Sequence, residues 1–164
     1  MITIYTDGSA HPNPGPGGWG AIVLEDNELI EVKQFLTEGP VTNNRMEMEA
    51  ILWAIENYSV NINSNPIILE RELPIIYTDS SYALNTFTIW MFTWERNGWR
   101  KSDNTIPENL DLVKKGFSLV EEHRILFKKV KGHSTDIYNN IVDQLATGQI
   151  TEQEVRDNWK NIVI

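Results

Sequence analysis

Five residues could do chemistry together: Asp7, Glu47, Asp79, Asp143 and His133. Asp7 lies in Tyr5-Thr6-Asp7-Gly8-Ser9 and Asp79 in the near copy Tyr77-Thr78-Asp79-Ser80-Ser81, and each pentapeptide follows a short β-type run. Each run therefore ends on an aspartate. In an open α/β sheet, parallel strands present their carboxyl ends to one crevice where ligands bind. Carboxylates held that close repel each other unless a proton or a cation lies between them. Glu47 borders the apolar face of a helix, and Asp143 lies on another. Singly, each acid has an ordinary role: a turn cap for Asp7 or Asp79, a first-turn acid favoured by the helix dipole for Glu47, a solvated helix residue for Asp143. Together, four unpaired acids beside a core are costly, and a hard divalent cation is the usual remedy. Mg²⁺ suits an all-oxygen set, and no His/Cys group suggests zinc. His133 lies in the loop Lys131-Gly132-His133-Ser134-Thr135-Asp136, ten residues before Asp143.

The elements that must position these residues are legible in outline. Residues 1–7 alternate in polarity as a half-buried strand does. A turn-rich stretch at 8–18 reads as a rigid connection into a hairpin and lacks the spacing of a phosphate-cradling loop. Trp19–Glu25 and Leu29–Leu36 predict the next two strands of an antiparallel meander. Thr42 or Asn43 can cap a helix in which Met46, Ala50, Trp53, Ala54 and Asn57 follow helical spacing. Residues 59–72 read as a surface loop. Pro74–Thr78 is the fourth strand, and the intervening helix implies a right-handed crossover and a mixed sheet. A helix capped by Ser80 or Ser81 runs to about Trp90. Helices at Pro107–Val120 and Asn139–Thr147 flank a fifth strand at Ile125–Val130. Residues 149–164 read as a tail or a short helix in which Val155 and Trp159 could pack back.

Charge is unevenly spread. The net charge of −9 argues against a polyanionic partner. From Leu84 to His133, however, nine Lys/Arg face six acids, a local balance of +3 that leaves −12 for the rest. Within it, Trp90, Trp94 and Trp99 stand beside Arg96, Arg100 and Lys101. Clustered tryptophans form a local core or, next to cations, a face for nucleic-acid backbone and bases. No apolar run approaches the roughly 20 residues of a membrane span, and the N-terminus lacks a signal-peptide layout. With no cysteine, disulfides and thiolate metal sites are absent, and a reducing cytoplasm is the default.

Read in order, Tyr5–Ser9, Asn13-Pro14-Gly15-Pro16-Gly17-Gly18, Thr42-Asn43-Asn44-Arg45-Met46-Glu47, Thr78-Asp79-Ser80, Val130-Lys131-Gly132-His133 and Asn139-x-x-x-Asp143 resemble type 1 ribonuclease H, the bacterial-type enzyme with a basic handle. The resemblance covers residues 1–148, with the handle at about 90–106. It implies a five-stranded mixed sheet in the order 3-2-1-4-5 with helices on both faces. It also implies hydrolysis of the RNA strand of an RNA–DNA hybrid to 5′-phosphate and 3′-hydroxyl ends, by a monomer that does not engage membranes. By the family pattern two Mg²⁺ ions, replaceable by Mn²⁺, share Asp7. Asp143 joins it on the water-activating ion, and Glu47 and Asp79 on the ion at the leaving oxygen, as suits in-line displacement between paired ions. His133 matches a proton-moving or product-releasing histidine. Asn13, Asn43 and Ser81 match contacts to the minor groove, where 2′-hydroxyls distinguish RNA, and Thr42 a contact to a DNA phosphate. Trp90, Trp94, Trp99, Arg100, Lys101 and Asn139 complete the expected substrate surface. Two departures stand out. Ser81 replaces a common glutamine, and Glu95 and Asn97 stand where basic residues are frequent. A junction-cutting relative, a non-catalytic hybrid-binding module and a purely structural domain are the alternatives.

Overall fold

The computed structural model describes residues 1–131 and 136–162. Five strands form one sheet: β1 (Ile2–Ala10), β2 (Gly15–Glu25), β3 (Glu28–Val41), β4 (Ile75–Thr78) and β5 (Leu126–Lys129). Their spatial order is β3-β2-β1-β4-β5, as expected. The first three strands are antiparallel, whereas β4 pairs parallel with β1 and β5 parallel with β4. The carboxyl ends of β1, β4 and β5 therefore open on one edge.

Alternation along the strands sends side chains to two cores. Ile4, Val23 and Ile76 pack with Met48, Ile51, Leu52 and Ile55 of helix α1 (Asn43–Tyr58), and with Phe87, Met91 and Val113. Tyr5, Ile22, Leu24 and Val32 pack on the other face with Val142 and Leu145 of α5 (Ile137–Thr147), and with Val155 and Trp159 of α6 (Glu152–Ile162). Between them in the chain lie α2 (Ser81–Asn85), α3 (Met91–Arg96) and α4 (Leu110–Glu122).

The structure differs from the sequence reading at several places. The turn-rich stretch is mostly strand: β1 runs to Ala10 and β2 starts at Gly15, leaving four residues between them. Glycine is required in β2 where α5 crosses closely, since a Cβ on Gly20 would lie 2.5 Å from Leu145 Cβ. β3 extends through Val41, directly before Thr42. Asn57, placed on the apolar face by spacing, is exposed and donates to Trp53 O, while Met48 and Leu52 are buried. The reason is that α1 is covered twice, by the sheet and by α4, so its buried arc is wider than one stripe. The helix expected to stop near Trp90 continues to Arg96 through a π-helical turn at Thr86–Trp90. In the surface loop, Val60–Asn61 forms a two-residue ladder with His123–Arg124. Residues 152–162 are helical, and no helix among the described residues is long and apolar enough to cross a membrane.

Helix α6 is fastened to the sheet by apolar and polar contacts. Val155 is fully buried, and Trp159 stacks on Tyr138 at 5.9 Å. Tyr138 in turn meets Tyr5, which stacks on Tyr77 at 4.7 Å. The Gln34 side-chain amide donates to Leu145 O and Ile150 O, and Arg156 donates to Val32 O. Trp159→Ala is expected to lower unfolding free energy by about 3 kcal/mol, the scale of removing a large buried ring. Urea denaturation should show a lower midpoint at unchanged slope.

Candidate active site

The site is assembled by one close backbone approach. Thr42 caps α1, its Oγ1 accepting from Arg45 N at 3.2 Å. The first turn of α1 lies against the end of β1, where a Cβ on Gly8 would come within 2.3 Å of Glu47 N and Met46 C. Only glycine fits there, and its fit sets Glu47 beside Asp7. The Asn pair reinforces the approach: Asn43 N donates to Asn13 Oδ1 at 3.1 Å, and Asn43 Oδ1 accepts from Ala10 N at 2.6 Å. Asp79 follows β4, whose parallel pairing with β1 brings its end alongside. Ser80 caps α2 through Ala83 N.

One oxygen from each of Asp7, Glu47 and Asp79 lies within 4.8 Å of the other two. Asp7 and Glu47 are only 4% and 8% exposed, so water screens them poorly. Asp143, exposed on α5, falls outside that trio but is close enough to Asp7 to interact with it. Burial, aided by the neighbouring charges of Asp79 and Asp143, pushes the Asp7 carboxyl well above the ordinary carboxylate range. Burial likewise raises Glu47, and the Asp7 charge adds to it. Glu47 Oε2 is buried without a hydrogen-bond partner. A buried acceptor left unpaired is costly. The donor set is all oxygen, anionic and short of positive charge, and so fits a hard divalent cation.

The remaining expected residues occupy distinct places. Asn139 is buried in the first turn of α5 with Oδ1 unpartnered, and its N–H donates to Asp136 at 3.2 Å. His133 lies outside the described residues. Trp90, Trp94, Arg96, Arg100 and Lys101 line an open groove with Tyr82. Its aromatic floor is continuous, with Tyr82 edge-on to Trp90 at 5.8 Å and Trp90 6.0 Å from Trp94. Trp99 is not part of that lining; its ring stands edge-on to Phe117 of α4 at 5.5 Å, beneath the Lys114 ammonium. Ser81 is exposed, and its hydroxyl accepts from the Lys129 ammonium. Sequence reasoning passed over Lys129, because a lysine ending a strand reads as a solvated residue. It also passed over Arg45, whose guanidinium grips Asp111 of α4 with both terminal nitrogens, at 3.1 and 2.8 Å.

Comparison with known proteins agrees with this arrangement. The RNase H family model matches residues 1–151. Ribonuclease H of Thermoanaerobacter sp. (strain X514) is 40% identical over 162 residues, covering 98% of this chain and 96% of that protein. Ribonuclease HI of Rickettsia prowazekii (strain Madrid E) is 41% identical over 155 residues, covering 94% of each. The crystal structure of LC11-RNase H1 in complex with RNA/DNA hybrid shares the fold, with a TM-score of 0.61 and 21% identity over 90% of this chain and 95% of that one. A match of this extent, on a sheet that gathers three carboxylates at its carboxyl edge, establishes that the chain belongs to the RNase H family.

Proposed function

We propose that the chain is an endonuclease that hydrolyses the RNA strand of RNA–DNA hybrids, leaving 5′-phosphate and 3′-hydroxyl ends. The observation that carries this reading is the trio of Asp7, Glu47 and Asp79, two of them buried, in a chain of the RNase H family. The LC11-RNase H1 complex supports hybrid as the substrate, since the same fold there holds one. The metal we propose is Mg²⁺, two ions per site, with Mn²⁺ as a substitute. Asp7, Glu47, Asp79 and Asp143 would hold them, Asp7 being the neighbour common to the others. Bound there, such ions lower the pKa of an attacking water and stabilise the charge developing on the leaving oxygen.

The chain's own groups orient the substrate around that centre. The side-chain oxygens of Asn13 and Asn43 are used internally, but their NH₂ groups donate to nothing among the described residues. These remain for 2′-hydroxyls in the minor groove. Thr42 at the helix N-terminus suits a DNA phosphate. The Tyr82–Trp90–Trp94 floor, with Arg96, Arg100 and Lys101, gives the handle a stacking surface flanked by cations. Trp99 contributes by fixing this handle to α4. His133 is assigned to proton movement or product release, and Asn139 to holding the strand near Asp143. We take residues 1–148 as the catalytic unit, working as a cytoplasmic monomer, with α6 (Glu152–Ile162) as its brace.

Incubation with labelled hybrid, duplex DNA and duplex RNA should give cleavage of the hybrid's RNA strand alone, abolished by chelator. Asp7→Asn should abolish cleavage while hybrid binding survives; undiminished cleavage would overturn the metal assignment. Gly8→Ala should weaken Mg²⁺ binding by calorimetry, because the added methyl displaces Glu47. The raised acids also set a pH dependence. Folded and metal-free, Asp7 and Glu47 keep protons that the unfolded chain releases near an ordinary carboxylate pKa. Their contribution to stability is present below that value and lost as pH rises through the folded pKa. Calorimetry on chelated protein should show a melting temperature that falls from about pH 5 to about pH 8. In Asp7→Asn the fall should flatten, leaving the variant roughly 3–6 °C above the parent at the alkaline end.

A further inference from the structure

The exposed Ser81 hydroxyl is not free: it accepts from the Lys129 ammonium. Lys129 ends β5 in register with Thr78 of β4, so it stands on the same edge as Asp79, the residue after Thr78. It makes no ion pair among the described residues. Ser81 lies two residues after Asp79 and directly before Tyr82, the first residue lining the handle groove. The first turn of α2, where this cation is held, thus joins the carboxylates to the groove. An ammonium has three donors, and Ser81 takes one. The other two are exposed at the rim of an anionic pocket, and a fixed point charge of this kind suits a phosphate.

We propose that Lys129 is a substrate-binding residue. Ser81 orients its ammonium onto a backbone phosphate of the duplex between the catalytic centre and the handle. The identity of that duplex as hybrid rests on the reading given above, whereas the phosphate contact does not. Ser81 is thus a positioning residue, acting through Lys129.

The test measures binding of a hybrid and of a duplex DNA over a range of salt concentrations, in the Asp7→Asn background, alongside steady-state kinetics of the active protein. Lys129→Gln should reduce the log–log salt slope by about 0.9, the release of one phosphate's counterion, and weaken hybrid binding about fivefold at low salt. Lys129→Arg should retain the slope. Ser81→Ala should weaken binding less, and adding it to Lys129→Gln should cost nothing further. In the active protein Lys129→Gln should raise KM with kcat unchanged. An unaltered slope and KM in Lys129→Gln would overturn the proposal, as would a fall in kcat at unchanged affinity or a fall in melting temperature as the only effect. Should the parent bind duplex DNA but not hybrid, with the same Lys129-dependent slope, the functional reading fails while the phosphate contact stands. If neither duplex binds, both fail.

Discussion

The meeting of two backbones at Gly8 is the constraint on which the rest depends. The first turn of α1 comes so near the end of β1 that no side chain fits between them. Asp7 precedes that contact on the strand, and Glu47 is part of it on the helix. Two acids 40 residues apart in sequence are thereby fixed side by side at the margin of a core. The parallel pairing of β1 with β4 adds Asp79, and the packing of α5 across the glycines of β2 brings Asp143. All three approaches use main chain or close helix–sheet packing, which is rigid. The carboxylates therefore cannot relieve their repulsion by moving apart. They relieve it by binding protons or cations, and this converts a folding constraint into an affinity for divalent metal.

The same electrostatics explain how an acidic chain can serve a polyanionic substrate. Much of the negative charge belongs either to the pocket, where cations neutralise it, or to surfaces away from the handle. Arg96, Arg100 and Lys101 stand together around an aromatic floor. Arg45 and Asp111, by contrast, are consumed by each other in fastening α1 to α4, a structural use of charge next to a functional one.

The strand order and the helices on both faces came from the family resemblance, whereas the mixed sheet and the approach of Asp7 to Asp79 were legible from local signals: alternation, a cap, a crossover, and an aspartate at each strand end. What escaped notice depends on partners far away in sequence. Met48 and Leu52 are buried because α4 covers a second side of α1, which spacing within α1 does not reveal. Gly18 read as a turn former, although it lies within β2 and a Cβ there would come 2.9 Å from Ala146 O of α5. Trp99 looked equivalent to Trp90 and Trp94, yet Phe117 takes it in another direction. The pairing of Ser81 with Lys129 joins the start of α2 to the end of β5, which only the sheet places together.

The grip of α6 on β3 has an effect beyond bracing. β3 is 14 residues long and lies at the border of the sheet, with its outward amides and carbonyls available to any passing extended chain. Such a border templates aggregation unless it is blocked. Here Glu152 accepts from Gln34 N at 2.9 Å and Arg156 donates to Val32 O, so side chains of the last helix occupy hydrogen-bonding positions a foreign strand would need. The C-terminal helix thus acts as a stopper on an otherwise adhesive margin, protecting the fold from its own neighbours in a crowded solution.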